Sequence, residues 1–187
     1  MRWSRGCPSH QDLAAPGLPA ASDIDEMFYV LRALEQLGAL GLLAPEVSRS
    51  LVDFIQGCRN TDGGYAGLPG QPSDTEHTYC AVCSLSLLGR PLDAAGSRVT
   101  AAWLRSRFAT SAGLAELSAA EDAPSLAASY WGFRAGEVLN ATVWTDRLGP
   151  AVQSLAKPDG GYGTRAQATL WESYCALRII STLGDER

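Results

Sequence analysis

The chain has 187 residues, a formal net charge of −5 and a hydrophobic content of 46%. This length and apolar content predict one folded domain with a substantial core and exclude extensive disorder. The acidic balance argues against binding to nucleic acid or to anionic membranes, and no apolar run of 18 residues is present that could span a bilayer.

Residues 1–20 are expected to form a flexible N-terminal arm, because they contain two arginines but no apolar stretch of the kind found in a secretory signal. Residues 21–187 form the single predicted domain. The odd number of scattered cysteines predicts reduced thiols and a cytoplasmic location. Cys80 and Cys83 are spaced as CxxC, but no second CxxC or histidine pair completes a zinc site, so zinc is not expected there.

The domain is built on an internal repeat. Residues 22–38, SDIDEMFYVLRALEQLG, align without a gap on residues 73–89, SDTEHTYCAVCSLSLLG. A third and a fourth copy follow, and the four copies predict inner helices near 23–37, 75–88, 126–139 and 170–183. Glycines at the ends of three copies predict left-handed C-terminal caps, namely Gly38, Gly89 and Gly184.

Amphipathic segments alternate with these four copies. Apolar residues at three- and four-residue spacings predict outer helices at 45–60, 94–108 and 145–157. No segment shows sustained strand alternation. The sequence therefore predicts an all-α protein of helical hairpins, with seven helices in total.

Two loops in the repeat read DGGY, at residues 62–65 and 159–162. A phosphate-binding loop would open directly onto a helix N-terminus, whereas about ten residues intervene here and no GKS or GKT follows. We therefore interpret Gly63 and Gly64 as parts of a structural turn, with the following tyrosine packed back against the hairpin.

The DGGY turn followed by an inner helix resembles the repeat shared by protein prenyltransferase β subunits and by squalene–hopene and class II terpene cyclases. The likeness covers most of residues 22–184. It implies a partial α/α toroid, in which inner helices line an apolar cavity and outer helices surround them. Complete toroids of this superfamily use about six hairpins, so the chain resembles half a ring. The chain is then expected to form an open crescent, a compact short barrel, or half of a ring that a homodimer or a partner subunit completes.

In protein prenyltransferases the equivalent loop reads like DGGFQGRPNKPVDTCYSFW, whereas residues 62–80 read DGGYAGLPGQPSDTEHTYC. The resemblance places Asp74 on the zinc-binding Asp but Glu76 on the zinc-binding Cys and His77 on a Tyr. Three further departures concern the residues that hold the diphosphate and the zinc. Leu68 and Gln71 replace the two cations of the diphosphate clamp, and Ala127 replaces the zinc-binding His. Protein prenylation is therefore the less favoured function.

The first copy is similar to the Asp-x-Asp-Asp element of class II terpene cyclases, since it reads Asp23-Ile24-Asp25-Glu26. By this resemblance Asp25 is the general acid that protonates an alkene or epoxide, with Asp23 and Glu26 beside it. Crowded carboxyls raise the pKa of at least one member, which favours a neutral acid. The alternative is that Ser22 and Asp23 cap the helix while Asp25 and Glu26 interact favourably with its dipole.

Asp23 and Asp25 occupy the same repeat positions as Asp74 and Glu76. If neighbouring inner helices pack side by side, four carboxylates gather at one mouth of the cavity with His77 beside them. Such a cluster is expected to form an acid site or a hard-metal site for Mg²⁺. Four aromatic residues are expected either to shape the cavity and contact the substrate or to be ordinary core residues: Tyr29, Tyr130, Trp131 and Trp171.

Two hypotheses of different classes follow. The first is an enzyme that cyclises or isomerises an isoprenoid or similar polyene, with Asp25 as the acid and with Asp74, Glu76, His77 and the aromatic residues contacting the substrate. The second is a non-catalytic module that binds a peptide, a lipid or a partner enzyme. The surplus of carboxylates favours the first hypothesis, and the half-length ring favours the second.

Overall fold

The computed structural model describes residues 23–109, 111–118 and 124–185. The N-terminal arm and Ser22 lie outside these ranges. Seven α-helices and one short 3₁₀ turn (Leu40–Leu42) make up the described fold: α1 (Ile24–Gln36), α2 (Pro45–Gly57), α3 (Thr75–Leu87), α4 (Ala94–Phe108), α5 (Leu126–Val138), α6 (Leu148–Gln153) and α7 (Leu170–Asp185). Within these ranges the only β pairing is isolated bridges, so the all-α prediction is confirmed.

The four inner helices pack side by side in chain order, as α1 on α3, α3 on α5 and α5 on α7. The outer helices α2, α4 and α6 contact α3, α5 and α7, respectively. The two central inner helices are buried on most of their circumference, whereas α2 buries only Leu51 and Ile55. No helix in the described ranges combines the length and the apolarity needed to cross a membrane.

The outer helix predicted over 145–157 is shorter in the structure, because α6 spans only Leu148–Gln153. Proline lacks a backbone N–H and is tolerated only in the first turn of a helix. Pro150 therefore limits how far upstream the helix can begin.

The residue just before each inner helix caps it with a side-chain oxygen. The capping oxygen accepts a hydrogen bond from the N–H three residues further on, at 2.8–3.1 Å in all four copies. Such caps satisfy N–H groups that the helix itself leaves without partners. The four capping residues occupy one repeat position: Asp23, Asp74, Ser125 and Thr169.

A hydroxyl in the first turn of α3, α5 and α7 ties each helix to the loop before it. The hydroxyl accepts a hydrogen bond from a loop N–H: Tyr65 to Thr78 (2.9 Å), Ala115 to Ser129 (2.8 Å) and Tyr162 to Ser173 (2.9 Å). The carbonyl of the same loop residue accepts from the N–H of the capping residue, at 2.9–3.3 Å. We call this pair of interactions the hydroxyl latch. The third copy keeps the latch although its sequence lacks DGGY.

The adjacent glycines Gly63 and Gly64 allow the loop to approach the helices closely. Gly63 has a φ of +97°, and a Cβ at Gly64 would lie 2.6 Å from the Ser73 Cβ and 2.8 Å from the Trp103 ring. The Asp62 carboxylate accepts from the Gly64 N–H at 2.9 Å and closes the turn. This geometry agrees with a structural turn.

Left-handed residues end the first three inner helices. Gly38 and Gly89 have φ values of +65° and +69°, as predicted. The prediction for Gly184 is wrong, because α7 continues through it to Asp185. In the third copy Asn140 takes the left-handed position with a φ of 50°. Asparagine tolerates this conformation better than other residues with a Cβ, so its role is the same as that of the glycines.

The latch predicts a measurable loss of stability on removal of a single hydroxyl. Thr78→Val keeps the side-chain shape but leaves the buried Tyr65 N–H without its acceptor, so we expect the free energy of unfolding to fall by about 1–3 kcal/mol. Urea unfolding followed by circular dichroism measures the change. Ser50→Ala, on the exposed face of α2, is the control and should change stability by less than about 0.5 kcal/mol. Equal effects of the two substitutions would contradict the proposed importance of the latch.

Candidate functional site

A groove of about 780 Å³ runs along the inner face of the helices. Its lining is mainly aromatic, with one aromatic residue from each inner helix at the same repeat position: Phe28, Tyr79, Tyr130 and Tyr174. The remaining lining residues are Tyr29, Arg32, Trp131, Leu170 and Trp171.

The aromatic rings of the groove pack on one another in a continuous row. Tyr79 stacks on Trp131 with ring centroids 5.3 Å apart, and Trp131 lies 5.4 Å from Trp171. The hydroxyls of Tyr130 and Tyr174 are 3.3 Å apart. Such contacts hold the ring planes in place and leave apolar faces toward the groove.

The groove brings together the four aromatic residues expected to shape a cavity, namely Tyr29, Tyr130, Trp131 and Trp171. Trp171 and Tyr29 remain 44% and 56% exposed, so their faces are open to a ligand. Tyr130 and Trp131 are only 5% and 7% exposed and belong to the hydrophobic core, as the alternative expected. Sequence reasoning missed Phe28 and Tyr174 as lining residues. The repeat alignment contained the signal, because both share the position of Tyr79 and Tyr130.

A histidine and three carboxylates meet in the first turns of α1 and α3, about one helical turn before the groove residues Phe28 and Tyr79. We call this end of the groove its mouth. The Nε2 atom of His77 lies 3.4 Å from the Asp25 Oδ2, and its Nδ1 atom is hydrogen-bonded to the Asp74 Oδ2. Gly67 makes room for the ring, since a Cβ there would lie 2.7 Å from the His77 Nε2. His77 therefore bridges two neighbouring inner helices.

The electrostatics of this cluster favour a charged imidazole. Burial lowers the pKa of His77, but hydrogen bonds and charges from Asp25 and Asp74 outweigh it and raise that pKa to about 10. Burial and the charge of Asp25 raise the pKa of Glu76. The carboxyl whose pKa is raised is thus Glu76, on the second inner helix. At neutral pH the cluster contains a protonated imidazole between two carboxylates.

Asp23 and Glu26 are not part of the cluster. The Asp23 Oδ1 accepts from the Glu26 N–H at 3.0 Å, and Glu26 is exposed on the first turn of α1. The expectation that all four aligned carboxylates would gather is therefore only partly correct. Asp23 faces its own helix end as a cap, while Asp25, Asp74 and Glu76 approach His77.

The residues at the mouth do not match a zinc donor set. The Asp74 Oδ1 caps α3 and its Oδ2 is paired with His77, while Ala127 supplies no donor. Burial raises the pKa values of the Cys80 and Cys83 thiols, which disfavours the thiolates that zinc requires. In the described ranges no three His, Cys, Asp or Glu side chains are arranged to share a metal ion. The expectations for zinc and for Mg²⁺ remain predictions.

Comparison with known proteins identifies relatives of the whole domain. A family model described as the prenyltransferase alpha-alpha toroid domain matches residues 20–187. Protein farnesyltransferase subunit beta of Arabidopsis thaliana is 28% identical over 164 residues, which are 84% of this chain and 33% of that protein. A probable geranylgeranyl transferase type-2 subunit beta of Caenorhabditis elegans is 36% identical over 62 residues, which are 33% of this chain and 18% of that protein.

A solved structure shares the fold. Candida albicans protein geranylgeranyltransferase-I complexed with GGPP matches with a TM-score of 0.70 and 19% identity, over 88% of this chain and 50% of that chain. The predicted partial α/α toroid is thereby confirmed. These relatives are prenyltransferase β subunits, so the comparisons favour the likeness to prenyltransferases, which from the sequence alone ranked below the likeness to terpene cyclases. The chain spans about half the length of this structure and a third or less of the curated relatives.

The charged cluster predicts a dependence of stability on pH. Because the pKa of His77 is about 10 in the folded protein and near 6.5 when the chain is unfolded, its contribution is complete below about pH 6.5. It is then lost as the pH rises through 10. We expect the free energy of unfolding to fall over this window by at most about 1.4 kcal/mol per pH unit. Urea unfolding at pH 6, 8 and 10 measures it.

His77→Gln is the matched variant, because glutamine keeps a hydrogen-bonding side chain but does not ionise in this range. The difference between parent and variant isolates the contribution of His77 from the other groups that titrate between pH 6 and pH 10. Parallel pH profiles for the two proteins would contradict the charged cluster.

Proposed function

The chain belongs to the prenyltransferase α/α toroid family, and on that premise we propose that it binds the apolar chain of an isoprenoid in its inner groove. The observation that carries the proposal is the continuous row of aromatic faces contributed by all four inner helices. Clefts that bind small molecules are typically 300–1,000 Å³ and largely apolar, and the groove has this size and character.

The exposure of the lining supports a ligand-binding role. Large apolar side chains are exposed along α1 and α7, with Leu170 at 90% and Tyr174 at 46%. Burying such surface under an isoprenoid contributes about 25 cal/mol per Å². The solved neighbour is a complex with GGPP, an isoprenoid diphosphate, which agrees with an isoprenoid ligand.

The chemistry at the mouth does not support zinc-dependent transfer of the isoprenoid to a thiol. In that reaction zinc activates the thiol, and cationic side chains hold the diphosphate. The mouth of this groove instead contains one imidazolium and three carboxylates, with Leu68 and Gln71 at the positions of the cationic clamp. The proposed role is therefore to bind and present an isoprenoid chain.

A partner that covers the open groove is part of this proposal. The two relatives are named as β subunits, and the exposed aromatic residues of α7 lie on the last described inner helix. A second subunit or a second copy of the chain packed there would exclude water from the ligand.

Proton-initiated cyclisation is the second candidate. The Asp25 Oδ1 is buried and has no hydrogen-bond partner in the described ranges. Asp25 also lies close to Tyr29, since the charge of its side chain acts on the Tyr29 hydroxyl. A proton passing from an Asp25 carboxyl to a C=C bond would leave a carboxylate and a carbocation, which aromatic faces stabilise. The Asp25 Oδ2 is already engaged by the His77 Nε2 at 3.4 Å, so we place binding first.

The binding proposal predicts that truncation of a groove aromatic weakens isoprenoid binding. Trp171→Ala removes an apolar face worth about 1.5–3 kcal/mol, so we expect the affinity for a fluorescent farnesol analogue to fall about ten- to a hundredfold. Equilibrium titration measures it.

Leu42→Ala serves as the control for Trp171→Ala, because Leu42 is 81% exposed but lies outside the groove. Its affinity for the analogue should equal that of the parent. A similar loss for both variants, or no binding by the parent, would argue against the groove as the ligand site.

The cyclisation candidate predicts a specific role for Asp25. Asp25→Asn keeps the size of the side chain but removes the transferable proton, so turnover of a matching polyene should drop by about two to four orders of magnitude. Product formation is followed by gas chromatography, and circular dichroism checks that the variant folds. Turnover equal to that of the parent would exclude Asp25 as the acid.

A further inference from the structure

A second repeat position on the inner face carries positive charge. In the third turn of the inner helices the aligned residues are Arg32 on α1, Cys83 on α3, Arg134 on α5 and Arg178 on α7. Arg32 lines the aromatic groove directly. Arg134 lies three and four residues after Trp131 and Tyr130, and residues at these spacings share a helix face.

The charges of Arg32 and Arg134 both act on the thiol of Cys83, which lies on the helix between them. Burial raises the pKa of Cys83, and the positive charges of Arg32 and Arg134 oppose this effect. The charge of Arg134 also acts on Tyr79, whose pKa is raised to about 12 chiefly by burial. Because α3 packs between α1 and α5, the two guanidinium groups lie on either side of an uncharged thiol.

Arg32 and Arg134 each have guanidinium N–H donors that their carboxylate partner does not use. The Nη1 atom of Arg32 pairs with Glu35 and that of Arg134 with Glu137, both three residues further along the helix. A guanidinium has five N–H donors, so one carboxylate oxygen satisfies only part of it. The Arg134 Nε is buried and has no hydrogen-bond partner in the described ranges. A buried donor of this kind favours an additional acceptor.

The groove is therefore polarised along its length. The first turns of α1 and α3 carry Asp25, Asp74 and Glu76 around a single imidazolium. Arg32 follows Asp25 by seven residues, which is about 10 Å along a helix. An anionic ligand group is repelled at the mouth and attracted at the third turn.

We propose that Arg32 and Arg134 form an anion site at the inner end of the groove, which binds the carboxylate of an apolar chain lying against the aromatic row. Planar guanidinium groups match a carboxylate in a bidentate geometry, and the ligand carboxylate replaces or joins Glu35 and Glu137 as their partner. The ligand is thus oriented with its acidic end away from the carboxylate mouth. This inference rests on the proposed binding of an apolar chain by the groove.

The experiment compares four probes of the same chain length on the full protein: farnesol, farnesoic acid, farnesyl monophosphate and farnesyl diphosphate. Each displaces the fluorescent farnesol analogue in an equilibrium titration. We expect farnesoic acid to bind about ten- to a hundredfold more tightly than farnesol. The monophosphate should fall between these two and the diphosphate should not exceed the acid, because Glu35 and Glu137 beside the arginines repel the higher charge of a phosphate group.

Substitutions in the Arg32–Glu35 and Arg134–Glu137 pairs distinguish an anion site from a purely structural role. Arg134→Gln should remove most of the preference for the acid while leaving farnesol binding within about twofold of the parent. Arg32 lines the groove, so Arg32→Gln is judged by the ratio of the acid and farnesol affinities, which should fall toward one. Glu137→Gln should strengthen acid binding, because it removes the competing carboxylate, and a purely structural role of the pair does not predict this gain. Arg98→Gln, on the exposed face of the outer helix α4, is the control and should change nothing.

The outcomes distinguish this inference from the proposed function. Absence of farnesol binding would overturn the groove itself. Farnesol binding with no preference for the acid, or equal loss of both ligands in Arg134→Gln and Arg32→Gln, would overturn only the anion site. Tighter binding of the diphosphate than of the acid would overturn the assignment to a carboxylate.

Discussion

The hydrogen bond between a loop N–H and a hydroxyl in the next inner helix sets the register of the whole domain. Thr78, Ser129 and Ser173 receive this bond, and the carbonyl of the same loop residue binds the N–H of the helix cap. Two bonds to one loop residue fix both the height and the rotation of the helix that follows. The helices α3, α5 and α7 therefore begin at the same level relative to the loops before them, even where the loop sequence differs.

A common register turns the repeat into layers on the inner face. Side chains at the same repeat position lie at the same level. Carboxylates lie in the first turns of α1 and α3, aromatic rings in the second turns of all four inner helices, and arginines in the third turns of α1, α5 and α7. The aromatic layer can form because Phe28, Tyr79, Tyr130 and Tyr174 each have an aromatic neighbour on the next helix. The proposed binding of an apolar chain depends on this order, since it places an apolar surface between two charged levels.

The charged residues of the first turns and those of the third turns are neutralised in different ways. At the mouth His77 is shared by carboxylates of two helices, so an internal cation holds α1 and α3 together. At the third turn each of two arginines is paired with a carboxylate of its own helix, so either pair can open without separating two helices. The first arrangement is difficult to displace, whereas the second can exchange its partner for a ligand. This contrast explains why the inner end of the groove is the better candidate for binding an acid.

The sequence by itself determined the number of helices, their order and the alternation of inner and outer elements, because these depend on local periodicity, caps and turns. It also identified most of the aromatic lining, since the repeat aligns residues that become neighbours. It did not determine which carboxylates meet. Asp23 and Asp25 are two residues apart, yet the helix turns one toward its own cap and the other toward His77 of the next hairpin. The distance between inner helices and the pairing of His77 with Asp25 were decided only by tertiary packing, because they depend on groups more than 40 residues apart in the chain. The close approach of Gly67 to His77 spans only ten residues, but it depends on how the loop before α3 folds back onto that helix.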